Sequence, residues 1–305
     1  MAHGTVRLPR RCRGAAPMPG KNASLDLVLS TLHAQVEGLR AGAAGTRRGR
    51  DPDALRKMRV AVRRLRAVLR ASRPLFDAKW VKGLRRELDW LGTALGTARD
   101  LDAIRSYLAS DLTALQGGER RMGPALLRRL DADRTRARAI LRGVLGGARY
   151  GRLLTRLDAS LSKPPIASTG LSLLVAAAAE FKKLRRAVKA LSGHPSAGDL
   201  HAIRIRVKRA RYAAELVRAA AGKPGERFLD QAKTVQDILG EHQDAVILEE
   251  YLHDIMGRRE ASHALEQQLL ERQCRRRKKT RAAFFEEWPN LDRRGRTLWS
   301  APLMP

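Results

Sequence analysis

The chain has 305 residues, with 61 Lys+Arg against 31 Asp+Glu and a formal net charge of +30. Hydrophobic residues make up 44%, which supports a packed core and excludes a disordered polycation. The longest apolar run, Leu171 to Ala179, is about half of what crosses a bilayer, so no membrane partner is expected.

A charge this large opposes compaction by self-repulsion. A fold that tolerates it is expected to meet a polyanion, unless arginine is simply scattered by a GC-rich genome. The distinction rests on whether the cations cluster on particular helix faces.

Met1 to Gly20 is basic and rich in Pro and Gly, with no apolar core of a secretion signal, so residues 1–21 are expected to be a disordered tail. Cys12 lies in it. The other cysteine is Cys274, so no structural disulfide is expected and a reducing compartment, the cytoplasm, fits. After Asn22 the apolar spacing is helical almost everywhere, and no stretch alternates like a strand. Helices are expected near 23–41, 52–73, 78–97, 99–116, 120–145, 150–161, 170–192, 198–221, 226–241, 243–256 and 259–285. Gly and Pro clusters punctuate them at 42–49, 73–74, 117–118, 146–147, 163–165, 193–195 and 222–225. Asp51-Pro52 supplies an N-cap followed by Pro at the first helical position. Residues 286–305 are expected to be a short C-terminal tail.

The chain repeats itself. Arg59-Val-Ala-Val-Arg-Arg-Leu-Arg66 matches Arg204-Ile-Arg-Val-Lys-Arg-Ala-Arg211, and Leu95-Gly-Thr-Ala-Arg-Asp100 matches Leu239-Gly-Glu-His-Gln-Asp244. The offsets are 145 and 144 residues. Two copies at so long a period mean a duplicated helical unit, not a solenoid. The expected fold is all-α: two related bundles over residues 22–285, with halves of about 22–163 and 168–285.

Within 56–73, Arg56, Arg59, Arg63, Arg66 and Arg70 fall in an arc of roughly 80°. Met58, Val62, Leu65 and Leu69 form the stripe beside them. Neighbouring like charges oppose the isolated helix by roughly 1–2 kcal/mol. A bound string of phosphates would remove that repulsion, and the planar guanidinium fork suits phosphate. In the second copy His201, Arg204, Lys208, Arg211 and Glu215 take the same face, with Glu215 able to pair with Arg211 one turn earlier. One basic helix alone reads best as a solvated face; two copies with one spacing favour a site. Lys182, Arg185 and Lys189 share a face that could extend it, as do Arg134, Arg138 and Arg142. The run Arg275 to Lys279 goes all around a helix and reads as a solvated segment.

These blocks resemble the CHAD family, the α-helical domains named for conserved histidines. The resemblance rests on His-x-x-Arg-(Val/Ile)-x-x-(Arg/Lys)-Arg-x-Arg followed by Leu-Gly-x-x-x-Asp in each half. The second half carries the whole pattern in His201, Arg204, Ile205, Lys208, Arg209, Arg211, Leu239, Gly240 and Asp244; the first departs with Arg56 at the naming position. The resemblance implies two four-helix bundles with pseudo-twofold symmetry and a basic central groove or pore. It also implies binding of inorganic polyphosphate, at polyphosphate granules. The implied contacts are Arg56, Arg59, Arg63 and Arg66 in one half and His201, Arg204, Lys208 and Arg211 in the other.

Signatures of catalysis are missing. Gly14 to Asn22 is one residue too long for a P-loop and ends in Asn, and no HExxH motif occurs. Glu241, His242, Asp244, Glu249, Glu250, His253 and Asp254 could hold a metal, but salt bridges to the many arginines explain them better. Asp100 and Asp244 are expected to be N-caps or partners of the basic helices. Binding without catalysis, metal or cofactor is the leading expectation, with polyphosphate as ligand. A nucleic-acid-binding protein comes second, weakened by 4% aromatics for base stacking. A metal-dependent phosphohydrolase comes third. Oligomeric state is not legible.

Overall fold

Asp51 accepts a 2.9 Å hydrogen bond from the backbone N–H of Asp53 and opens α2 (Pro52–Ala71), as the Asp-Pro pair predicts. The computed structural model describes residues 21–49, 51–115, 119–167, 172–256 and 263–300. Before α2 comes α1 (Lys21–Arg48); after it, beyond a single 3-10 turn at Arg73–Leu75, comes α3 (Ala78–Thr113). Then follow α4 (Glu119–Gly146), α5 (Ala148–Ser162), α6 (Leu173–Lys189), α7 (Ala197–Leu216), α8 (Arg218–Met256) and α9 (His263–Ser300). The described residues form no strand; one isolated bridge joins Phe76 to Ile166. The all-α expectation holds.

One pair of helix starts keeps the offset of the sequence repeat: Pro52 and Ala197, which open α2 and α7, are 145 residues apart. A first core gathers α1, α2, the first half of α3, the end of α4 and α5 around Leu39, Met58, Leu65, Leu88 and Leu153. A second gathers α6 to α9 around Phe181, Val207, Phe228, Val235 and Phe284. The 36 residues of α3 span about 54 Å, more than one bundle needs. Its far half therefore reaches beyond the first core. There Ile104, Leu108 and Leu112 meet Leu248, Leu252 and Ile255 of α8 and Leu265 and Leu269 of α9. This third core ties the two halves into one body.

Several boundaries differ from expectation. Helix α1 runs through Gly42 and Gly45 to Arg48, because these glycines let α2 approach: a Cβ at Gly42 would lie 2.5 Å from Met58 Cγ, and one at Gly45 2.7 Å from Ala54 Cβ. Helix α3 continues through Gly96, and α8 through Gly240, so the Leu-Gly blocks are helix interior and not junctions. Asp100 and Asp244 are accordingly not N-caps. The expected break at 222–225 survives as a kink inside α8, where Gly222 takes φ +53°, a left-handed conformation that suits glycine.

Helix α9 extends past Pro289 to Ser300, so residues 286–300 are not a tail. Leu291 and Leu298 are buried in the second core, and Phe228 packs edge-on against Trp299. Gly295 is the tightest point: a Cβ there would lie 2.1 Å from Phe181 Cζ. Gly295→Ala should therefore destabilise by about 2–3 kcal/mol through overpacking, despite alanine's better helix propensity. Thermal unfolding checks this; a melting temperature lowered by roughly 5 °C is expected.

Candidate functional site

The buried stripes of α2 and α7, Met58, Val62 and Leu65 on one and Ile203, Val207 and Ala210 on the other, anchor both helices in the cores. Their basic residues are left along the seam where the two helices meet. Arg59 and Arg63 of α2 face Arg204 and Lys208 of α7 there. Arg59 Nη1 donates to Asp100 Oδ1 of α3 at 3.1 Å. Arg99 Nη1 donates across to Asp244 Oδ1 of α8 at 3.3 Å and stands 3.8 Å from Asp100. Five cations thus share two carboxylates. Asp100 and Asp244 are partners of the basic helices, as expected.

The sharing leaves donors unmet. Arg63 Nε and Arg204 Nε are buried with no hydrogen-bond partner. A buried unmet donor is unfavourable by roughly 1–3 kcal/mol, more when charged, and calls for an explanation. Burial pulls the pKa of Arg59 and Arg204 below the usual guanidinium range. Lys208 falls furthest, to about 6, through burial first and then the charges of Arg204, Arg63 and Arg59. The glycines of the Leu-Gly blocks border open space: a Cβ at Gly96 would meet nothing within 4 Å, and one at Gly240 only Arg204 Nε at 4.0 Å.

Farther along the seam a second group forms. Arg66 and Arg70 of α2 meet Arg85 of α3 and Arg209 of α7, with Glu180 of α6 as a shared counter-charge. Arg66 Nη2 also lies 2.5 Å from Asp89 Oδ1. Arg85 Nε is another buried donor without a partner. By the helical period alone Arg209 stands about 100° from Lys208 around α7. Packed helices cross at an angle, so the facing position drifts around α7 from 204 and 208 to 209. Arg64 also turns inward, 3.5 Å from Glu215 Oε2; Arg211 lies 3.5 Å from the other oxygen of Glu215, the pairing expected one turn apart.

Other expected residues lie elsewhere. Arg56 is exposed and pairs with Asp53 at 3.0 Å. Its counterpart His201 instead uses Nδ1 for a 2.5 Å hydrogen bond with Gln243 Oε1. The residue matching Gln243 in the first half is Arg99, and Arg56 beside Arg99 would be two cations in contact. That explains why Arg56 turns to Asp53 while Arg99 crosses to Asp244. On α6, Glu180 faces the seam, and Lys182, Arg185 and Lys189 stand roughly 140–200° around the helix from it. Arg185 Nε bonds Asp292 Oδ1 of α9 at 2.5 Å, and Lys182 and Lys189 are exposed. Arg134 and Arg138 are held by Asp102 at 2.7 and 2.9 Å. Arg276 and Arg277, inside the basic run, tie α9 to Asp111 and Glu249. The metal-like acidic cluster resolves into ion pairs: Glu241 with Arg276, Asp244 with Arg99, Glu249 with Arg277. No group of three metal-ligating side chains occurs among the described residues. No described helix is long and apolar enough to cross a membrane.

The CHAD domain model matches residues 30–253. Two curated relatives from Mycobacterium tuberculosis, the uncharacterized proteins MT2285 of strain CDC 1551 / Oshkosh and Rv2226 of strain ATCC 25618 / H37Rv, are each 36% identical over 211 residues. The match spans 66% of this chain but only 40% of each relative. Among solved structures, PptA from Streptomyces chartreusis aligns with a TM-score of 0.75 and 23% identity, covering 87% of this chain and 98% of that one. The CHAD domain from the plant Ricinus communis aligns with a TM-score of 0.63 and 24% identity, covering 97% and 98%. At these identities the solved structures establish the fold.

Proposed function

The chain belongs to the CHAD domain family, and from that premise we propose that it binds inorganic polyphosphate along the α2–α7 seam. The observation that carries the reading is the pair of buried, unpartnered donors, Arg63 Nε and Arg204 Nε, flanking Lys208 in a cluster short of carboxylates. Phosphate oxygens supply both the missing acceptors and the missing negative charge. The two groups of cations follow one another along the seam, which suits a chain of phosphates better than a single one. The residues of the reading are Arg59, Arg63, Arg99, Arg204 and Lys208, continued by Arg66, Arg70, Arg85 and Arg209.

The same reading makes the protein a binder and not an enzyme, working in the cytoplasm at polyphosphate granules. The carboxylates at the seam are engaged with arginine, which suits holding a ligand better than activating water. Nucleic acid remains the rival ligand, since phosphate contacts alone do not exclude it. Single-stranded RNA would be expected to stack on aromatic platforms, and the seam is lined by guanidinium groups. In competition at physiological salt, polyphosphate should displace a labelled polyphosphate chain at a lower phosphate concentration than single-stranded RNA does, with no phosphate released when Mg²⁺ or Mn²⁺ is present. Equal or better displacement by RNA would move the reading to nucleic acid.

A further inference from the structure

Lys208 sits one turn after Arg204 on α7, at the centre of the seam. The charged groups facing it are Arg59 and Arg63 from α2, Arg204 from its own helix and Asp100 from α3. Asp100 is already bonded to Arg59. Asp244 of α8 acts on Arg204 and is bonded to Arg99. Among the described residues no carboxylate forms an ion pair with Lys208, and Asp100 only partly offsets the three guanidinium groups around it. Lys208 itself is half-buried on the same face of α7 as Arg204, so its ammonium stays within the cluster while the open side of the seam leaves a ligand room to approach it.

A cluster of this kind relieves itself through its weakest base. Arginine keeps its proton under all ordinary conditions, whereas a buried lysine surrounded by cations can shed its own. Burial and the three guanidinium neighbours pull the Lys208 pKa down to about 6, which favours the neutral amine in the free protein above that pH. A phosphate chain laid along the seam changes the balance, because each phosphate brings a negative charge within reach of the nitrogen.

We propose that polyphosphate binding takes up one proton at Lys208, so that affinity at this seam is set by pH as well as by salt. The inference rests on the polyphosphate reading and adds a regulatory property to it. Linkage fixes the sign. Between the free and the bound pKa of Lys208, affinity falls as pH rises, by up to about tenfold per pH unit for one coupled proton. Below pH about 6 the lysine is charged before the ligand arrives, and the dependence disappears. Site arginines keep their protons throughout and contribute no such slope. Phosphate groups next to cations release protons and do not take them up, so the ligand's own titration has the opposite sign.

The test is calorimetry of the whole chain with long-chain polyphosphate at pH 8, in buffers of different ionisation enthalpy. The buffer dependence of the binding heat counts protons. Wild type should take up close to one proton per site. Lys208→Arg should bind with no uptake and with an affinity flat between pH 6.5 and 9, because arginine is charged in both states. Lys208→Met should also bind, more weakly and without uptake. Wild-type binding without proton uptake would overturn the proposal and leave the polyphosphate reading intact. Uptake that persists in Lys208→Arg would equally overturn it, since the proton would then belong to another group, with His201 the next to examine. No measurable binding by wild type would sink the polyphosphate reading itself.

Discussion

Arg59→Ala with Arg63→Ala should weaken polyphosphate binding by about 10²–10³-fold. The figure follows from two charge-assisted contacts at roughly 1.5–3 kcal/mol each, taken at the lower end because neighbouring cations partly compensate. The slope of log affinity against log salt should flatten by roughly 1.5, since each phosphate contact on a polyanion releases about 0.7–0.9 counterions. Folding should survive. Arg59 releases Asp100, but Arg99 lies 3.8 Å from the same oxygen and can take it over. The loss of two positive charges also relieves repulsion on Arg204 and Lys208.

The control is a pair of the same formal charge placed elsewhere. Arg64 and Arg209 do not serve, because Arg64 pairs with Glu215 at the α2–α7 contact and Arg209 faces Arg70. Lys182 and Lys189 do serve, being exposed on the side of α6 away from the seam. Their replacement by alanine should change affinity by less than about threefold, the effect of distant, screened charge. Should the α6 pair weaken binding as much as the α2 pair, binding tracks net charge and there is no defined seam.

The row on α2 was legible because a single helix sets it: the 3.6-residue period places Arg59, Arg63, Arg66 and Arg70 beside the buried stripe without help from any neighbour. The duplication was legible from two blocks at nearly equal offsets. What was not legible depends on docking. Arg85 and Arg209 join the site because α3 and α7 present those positions to α2, and no local pattern on either helix marks them. Arg99 is a partial exception. It stands next to Asp100 inside a repeated block, and the change from His201 and Gln243 to Arg56 and Arg99 was visible in the alignment of the two halves. The incompatibility of that pair could have flagged Arg99 as a residue needing a carboxylate from elsewhere.

Helix ends failed for a related reason. Glycine and proline were taken as stops, yet Gly42 and Gly45 are contact points between α1 and α2, and Pro289 sits inside α9. Proline inside a helix removes one hydrogen bond and strains a turn, at about 3 kcal/mol. Burial of Leu291 and Leu298 beyond it, at roughly 2 kcal/mol each, offsets that. Tertiary burial outweighs local propensity at such positions, and only the folded chain reveals which ones they are. The α6 row lies apart from the α2–α7 seam. Lys182, Arg185 and Lys189 do share a face, but Glu180 is the α6 residue that faces the seam.

Lys208→Met should move stability and affinity in opposite directions. In the free protein the lysine must either bury an ammonium among arginines or give up its proton, and both are unfavourable relative to the unfolded chain. Methionine fills the volume of the stem without a charge. Replacing a poorly compensated buried charge by an apolar side chain is stabilising by about 1–4 kcal/mol, so a melting temperature several degrees above wild type is expected. The gain depends on pH with a definite sign. The folded pKa of Lys208 lies below its unfolded value, so wild type loses stability relative to the variant as pH falls from the ordinary lysine range toward about 6, and loses no more below that. The two proteins should therefore converge near pH 10 and stand furthest apart at pH 6. Saturating polyphosphate should shrink the difference at neutral pH, because the ligand stabilises the protein in proportion to how tightly it binds, and wild type binds more tightly. Opposite movements of this kind mark a group held in an unfavourable place for a ligand's sake. A variant both less stable and weaker in binding would mean that the ammonium is already satisfied in the free protein, and the seam would then be an internal ion-pair network between the two halves.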